Sequence, residues 1–211
     1  MSDTIDAKTL ELISSKICHD LISPIGAINN GVEIFQEMGG GEDVMDLIAT
    51  SADLASAKLK AYRIAYGAGG SDATIKPSDA HTVIAGILEH EKRITQEWDP
   101  SASLGPEMLP TGTAKMLTAF LLLTLECLPR GGVISAAAGD DNTIVIEATG
   151  ESPLLKDGFE DCLRQSVNLV DLSPTLTHAF MTGFLAKHYK FDIMSVEHDD
   201  TRIAMIVKLP V

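Results

Sequence analysis

The stretch from Leu10 to Phe35 constrains the fold most. Apolar residues recur there every three or four positions, at Leu10, Ile13, Ile17, Leu21, Ile28, Val32 and Phe35, the rhythm of a long helix with one buried stripe. Inside that helix the run "CHDLISP" sets a histidine, His19. At about 100° per residue, His19 falls roughly 180° from the centre of the stripe and is expected to face water. The spacing predicts a helix over about Asp6 to Met38, stopped by Gly39 to Gly41, and a second over about Asp43 to Tyr66, whose positive start suits Glu42 and Asp43. Two antiparallel helices follow. A lone hairpin has little interior, and Leu47, Ile48, Leu54, Leu59 and Ile64 supply a second apolar surface; pairing with a second copy as a four-helix bundle is the economical solution.

"GAGGSDA", Gly67 to Ala73, is small and polar and marks the expected boundary between a hairpin domain, 1–68, and a second domain, 74–211. In the second part the pattern becomes mixed. A short strand is expected at Thr74 to Lys76, then a helix capped by Ser78 or Asp79, a strand at about Arg93 to Trp98, and an apolar helix from about Thr113 to Leu128 that "PRGG" terminates. "VISAAA" and "TIVIEAT" flank "GDDN" as a hairpin. Helices at about Lys156 to Asn168 and Pro174 to Tyr189, then strands "FDIMSVE" and "RIAMIVKLP", complete an α+β sandwich with helices on one face of a sheet.

Composition narrows the function. Thirty acidic against 16 basic residues give a formal charge of −14, which repels nucleic-acid phosphates and argues against DNA or RNA as a partner. Cys18, Cys127 and Cys162 are odd in number and lack CxxC spacing, so neither a disulfide framework nor a zinc site is indicated and a reducing cytoplasm is expected. "MSDTIDAKTLEL" lacks the basic start and apolar core of a signal peptide. The run Met116 to Leu128 carries Glu126 and is too short to span a bilayer, so no membrane association is expected. His81, His90, His178, His188 and His198 show no ligand spacing and read as surface or structural residues.

The order of elements, a helical hairpin with an exposed His-Asp followed by an α/β sandwich, resembles the dimerisation and ATP-binding modules of two-component histidine kinases. "CHDLISPIGAI" is similar to their H-box, with His19, Asp20 and Pro24 on its motif positions. The resemblance implies that His19 accepts a phosphoryl group and that Pro24 bends the helix below it. The ATP half keeps the frame and loses the chemistry. No asparagine stands between Asn30 and Asn142 to hold magnesium, "IVIEATGESP" has no aspartate at Ala148 to Gly150 to read adenine, and "VDLSPTLTHAF" replaces a glycine loop. Such a loop is what lets backbone N–H groups surround a triphosphate. An H-box beside a degenerate sandwich resembles the ChpT-type histidine phosphotransferases of alphaproteobacteria. That resemblance spans nearly the whole chain, including "LPRGG" and "TGFLAKHY".

The resemblance implies a homodimer that passes phosphoryl groups between receiver domains, from a hybrid histidine kinase to response regulators, with no cofactor of its own and Mg²⁺ supplied by the receiver. Phosphoryl transfer is mostly positioning and charge stabilisation, so His19 needs little machinery beyond a hydrogen bond at one ring nitrogen that leaves the other as nucleophile. Asp20 is the nearest candidate for that bond, although sequence neighbours diverge by about 100° on a helix. Lys16, three residues before, is placed to steady an incoming phosphate. Ser15, Ser23, Gly26 and Asn30 keep the same face small, and Ile22 offers an apolar partner contact. Two alternatives remain at this level: a non-catalytic module that binds receivers or regulates a kinase, and an ATP-dependent histidine kinase.

Overall fold

The computed structural model describes residues 7–39, 41–71, 74–168 and 172–210. Helices α1 (Ala7–Met38) and α2 (Glu42–Ala65) form the hairpin. Gly39 ends α1 at φ +71, a left-handed turn that costs glycine nothing. The expected start at Asp6, together with Gly40, Asp72 and Ala73 of the expected turns, lies outside the described residues. Ala68–Ser71 forms a short 3₁₀ turn.

The rest is α3 (Pro77–Leu88), β1 (Ile94–Gln96), α4 (Thr113–Glu126), β2 (Gly132–Ala138), β3 (Thr143–Thr149), α5 (Phe159–Leu163), α6 (Thr177–His188), β4 (Asp192–His198) and β5 (Arg202–Lys208). The five strands run in the order β1-β2-β3-β5-β4; β1 lies parallel to β2 and every other pairing is antiparallel. Register places Ile134 opposite Ala148 and Ile146 opposite Met205, and these side chains, with Ile144, Ile203 and Val207, form the buried face. The β2–β3 turn carries Asp141 and Asn142 at positive φ, the residue types that tolerate a primed hairpin turn.

α4 is mostly apolar and is buried on all sides from Thr113 to Thr124, because the sheet, α2, α3 and α6 all pack on it. The hairpin is therefore built onto the sandwich: Leu12, Ala57, Ala61, Tyr62 and Ala65 share one core with the sheet and its helices. Lys115 of α4 is 2% exposed and donates to the Ile64 and Gly67 carbonyls at 3.3 and 2.6 Å, placing an ammonium on the negative end of α2. Burial pulls that ammonium below the usual lysine range. No described helix is long and apolar enough to cross a membrane.

Several local expectations change. Residues 74–76 form no strand; Pro77 opens α3 directly, and its Lys76 cap donates its backbone N–H to Asp79, 2.7 Å away inside the first turn, so neither Ser78 nor Asp79 is the cap residue. The helix expected from Lys156 to Asn168 contracts to Phe159–Leu163. Gln165 turns left-handed at φ 58 and its side-chain amide donates to the Cys162 and Phe180 carbonyls, both at 2.8 Å, which ends α5 and ties it to α6. The stripe of α1 also divides. Ile13 and Ile17 pack on the core and Leu12 joins them, whereas Leu10, Val32 and Phe35 are 60, 39 and 44% exposed. Helical periodicity finds the apolar side of α1, but α2 and the sandwich approach it from one flank only.

Candidate functional site

His19 stands on the outer face of α1 with its side chain 85% exposed, while that of Asp20 beside it is 13% exposed. One residue of helix turns Asp20 inward by about 100°, and its carboxylate reaches back: Oδ1 lies 3.3 Å from His19 Nδ1. That carboxylate is held from two other sides. Lys16 Nζ, one turn earlier, sits 3.0 Å from both oxygens, and the Tyr62 hydroxyl of α2 donates to Oδ2. Burial tends to raise the Asp20 carboxyl, but hydrogen bonds from Tyr62, Lys16 and His19 outweigh it and hold the group below the usual aspartate range. Burial and the bond to Asp20 push the Tyr62 hydroxyl well above its ordinary value, so it stays a donor.

Pro24 explains a further contact. Lacking an N–H, it leaves the Asp20 carbonyl, four residues earlier, without its helical partner. Lys58 of α2 fills that vacancy, donating from Nζ at 3.2 Å. The proline that interrupts the helix thereby fastens the Asp20 backbone to α2.

Behind Asp20 the network continues into the sandwich. Lys16 Nζ also lies 3.1 Å from Glu126 Oε1, at the C-terminal end of α4. His178 of α6 places Nδ1 2.8 Å from the same oxygen. Lys156 approaches Glu126 Oε2 at 3.5 Å. Burial tends to raise the Glu126 carboxyl, yet His178, Lys16 and Lys156 together hold it down to about 2. Burial tends to lower the Lys16 ammonium, and Glu126 and Asp20 reverse this and raise it. Tyr62 and Tyr66 flank the His178 ring, with centroids 5.9 and 5.7 Å away.

The chain of side chains separates two clefts. One, of about 510 Å³, opens beside His19 between Ser15 and Lys16 of α1 and Lys156, Pro174 and Thr175 of the sandwich. The other, of about 430 Å³, lies on the far side between Lys58, His90 and Arg93. Ser15, Ser23, Asn30 and Ile22 are exposed on the His19 side of the hairpin and Gly26 is half-buried. Pro24 is buried. Lys16 is half-buried between two carboxylates and lines the cleft beside His19. Among the described residues no group of three or more His, Cys, Asp or Glu could hold a metal ion.

Tyr62, Glu126 and His178 were not identified as site residues from the sequence. The one local signal was Glu126 itself, a charge closing an otherwise apolar helix. His178, read as surface or structural, is 4% exposed and reaches the site through the fold.

Three comparisons bear on this arrangement. A family model described as the histidine phosphotransferase C-terminal domain matches residues 77–202. The curated protein phosphotransferase ChpT of Brucella abortus (strain 2308) is 41% identical over 133 residues, a match covering 63% of this chain and 61% of that relative. The match thus spans less than two thirds of the relative's length. A solved structure titled as that of a bacterial phosphotransferase superimposes with a TM-score of 0.78 at 32% identity, covering 97% of this chain and 98% of the other.

Proposed function

The chain belongs to the histidine phosphotransferase family, and from that premise we propose that His19 relays phosphoryl groups between receiver-domain aspartates without using ATP. The observation that carries this reading is an exposed imidazole whose Nδ1 faces a carboxylate anchored from below by Lys16 and Tyr62. Asp20 favours the tautomer with the proton on Nδ1 and leaves the Nε2 lone pair free. In the accepting step Nε2 attacks the phosphorus of an aspartyl phosphate: the N–P bond forms, the P–O bond to the aspartate breaks, and that carboxylate leaves. The product is a phosphoimidazolium whose positive charge Asp20 offsets. The donating step reverses the sequence on a second receiver. No proton has to move in either direction, which suits a group that must both load and unload.

Mg²⁺ would enter with the receiver, neutralising the transferring oxygens. The reading without ATP is supported by the sequence, which has no asparagine between Asn30 and Asn142, no aspartate at Ala148 to Gly150, and "VDLSPTLTHAF" in place of a glycine loop. The donors and acceptors would be receiver domains of a hybrid histidine kinase and of response regulators, in the cytoplasm, where the exposed thiol of Cys18 stays reduced.

The same reading makes the protein a homodimer. Leu21, Ile25, Ile28, Val32 and Phe35 alternate at spacings of four and three along α1, and Ile25, Val32 and Phe35 are 46, 39 and 44% exposed. Such spacing, with three of the five side chains exposed, suits the seam of a helix bundle completed by a second copy. The test is transfer of labelled phosphate from a phosphorylated receiver, without ATP, to the wild type and to His19→Gln. Label that is acid-labile, alkali-stable and absent from the variant is expected. Receivers that bind the protein yet transfer nothing would replace the relay by a binding module.

A further inference from the structure

We infer that Glu126, at the end of α4, is a positioning residue for the phosphoacceptor: by drawing Lys16 toward itself, it keeps the Asp20 carboxylate free to hold the His19 proton on Nδ1. The consequence for transfer rests on the relay reading above; the consequence for the histidine tautomer does not.

The geometry places one ammonium between two carboxylates. Lys16 Nζ is 3.0 Å from Asp20 and 3.1 Å from Glu126, so its charge is divided almost equally. Asp20 Oδ1 meanwhile serves two donors, Lys16 and His19, and these compete for one oxygen. An ammonium is the stronger competitor, because charge-assisted bonds to a carboxylate are about twice as strong as those from a neutral N–H. If Lys16 turned wholly to Asp20, it would neutralise that carboxylate and weaken the acceptor available to Nδ1–H. Glu126 prevents this.

Glu126 is also held in place. His178 lies 2.8 Å and Lys156 3.5 Å from its oxygens, and α4 beneath it is buried on every side. The sandwich thus acquires a task in the chemistry, setting from α4 the electrostatics of a histidine on α1. A purely structural tether between hairpin and sandwich would make different predictions, because it would depend on Lys16 and Glu126 staying together.

The experiment is ¹⁵N NMR of the imidazole of His19, which reports the tautomer directly, combined with transfer rates from a phosphorylated receiver, for full-length wild type, Glu126→Gln, Lys16→Met and the double variant. Wild type should favour the Nδ1–H form. Glu126→Gln should shift His19 toward Nε2–H, the form a free histidine side chain prefers, and slow transfer roughly tenfold, the effect of removing an outer group that orients a histidine. Lys16→Met should retain Nδ1–H, and adding it to Glu126→Gln should restore that tautomer, since no ammonium remains to capture Asp20. An unchanged tautomer in Glu126→Gln, loss of Nδ1–H in Lys16→Met, or a double variant no better than Glu126→Gln would each overturn the inference. Should Glu126→Gln not fold, Lys16→Met alone decides by the same criterion. If the tautomer moves as stated while wild type accepts no phosphate, the relay reading fails and the positioning role stands.

Discussion

Protonating Glu126 should remove a defined share of the stability of the fold. Its carboxyl is held at about 2 against an ordinary 4.5, and its side chain is 24% exposed, so most of the shift counts. A difference of 2.5 units corresponds to about 3 kcal/mol at about 1.4 kcal/mol per unit. The folded value is the depressed one, so this contribution is fully present above pH 4.5 and is lost as pH falls toward 2. By pH 3, linkage places about 2 kcal/mol of it already gone. Glu126→Gln imitates the protonated form and should be less stable than wild type by about 3 kcal/mol at pH 7, by about 1 kcal/mol at pH 3, and by little at pH 2. Carboxyls that share no partner with Glu126 are common to both proteins and cancel in the difference. Urea unfolding followed by circular dichroism at pH 7, 3.5 and 3 reads the two curves, and equal slopes against urea confirm that the same surface is exposed. A gap that stays constant from pH 7 to 3, or no gap at pH 7, would refute the claim that Lys16, Lys156 and His178 stabilise the ionised carboxylate.

Gly183→Ala should destabilise, against the propensity trend. Alanine in an open helix adds about 1 kcal/mol over glycine, but at 183 the new methyl would collide with the Leu163 carbonyl of α5, and overpacking of this kind costs about 1–3 kcal/mol; a raised melting temperature would contradict the close α5–α6 approach. Asp20→Asn keeps the shape and removes the charge opposite Nδ1, so quench-flow transfer should slow by about 10²-fold. Tyr62→Phe removes one donor to the same carboxylate and should slow it less, by about tenfold; equal effects from the two would misplace Tyr62. Val32→Glu with Phe35→Glu puts charge on the exposed seam of α1 and should yield monomers in light scattering, whereas an unchanged assembly state would move the self-association surface elsewhere.

What was legible in the sequence had a local cause. The exposure of His19 followed from its angle to the apolar residues of α1, the stop at Gly39 from the one residue type at ease at φ +71, and the β2–β3 hairpin from two strand-forming runs around an Asp-Asn turn. The apolar character of α4 announced that it would be covered. The loss of asparagines and glycines from the sandwich was legible residue by residue. Each of these is decided by neighbours within a turn or two of the chain.

Tertiary structure decided the rest. Periodicity placed Lys16 on the face near His19 but could not say that Glu126, 110 residues later, would claim half of its charge. Asp20 was a neighbour at an unfavourable angle until α2 brought Tyr62 and Lys58 against its two ends. His178 looked like any isolated histidine because its significance lies in a contact between α6 and α4. The stripe of α1 was read as a single face, although in the folded chain part of it meets the core and part stays open. Helical angle is set by the backbone and can be counted along the chain. Which charge compensates which is set by distance through a low-dielectric interior, and only the packing of α1, α2, α4 and α6 brings those charges within about 3 Å of one another.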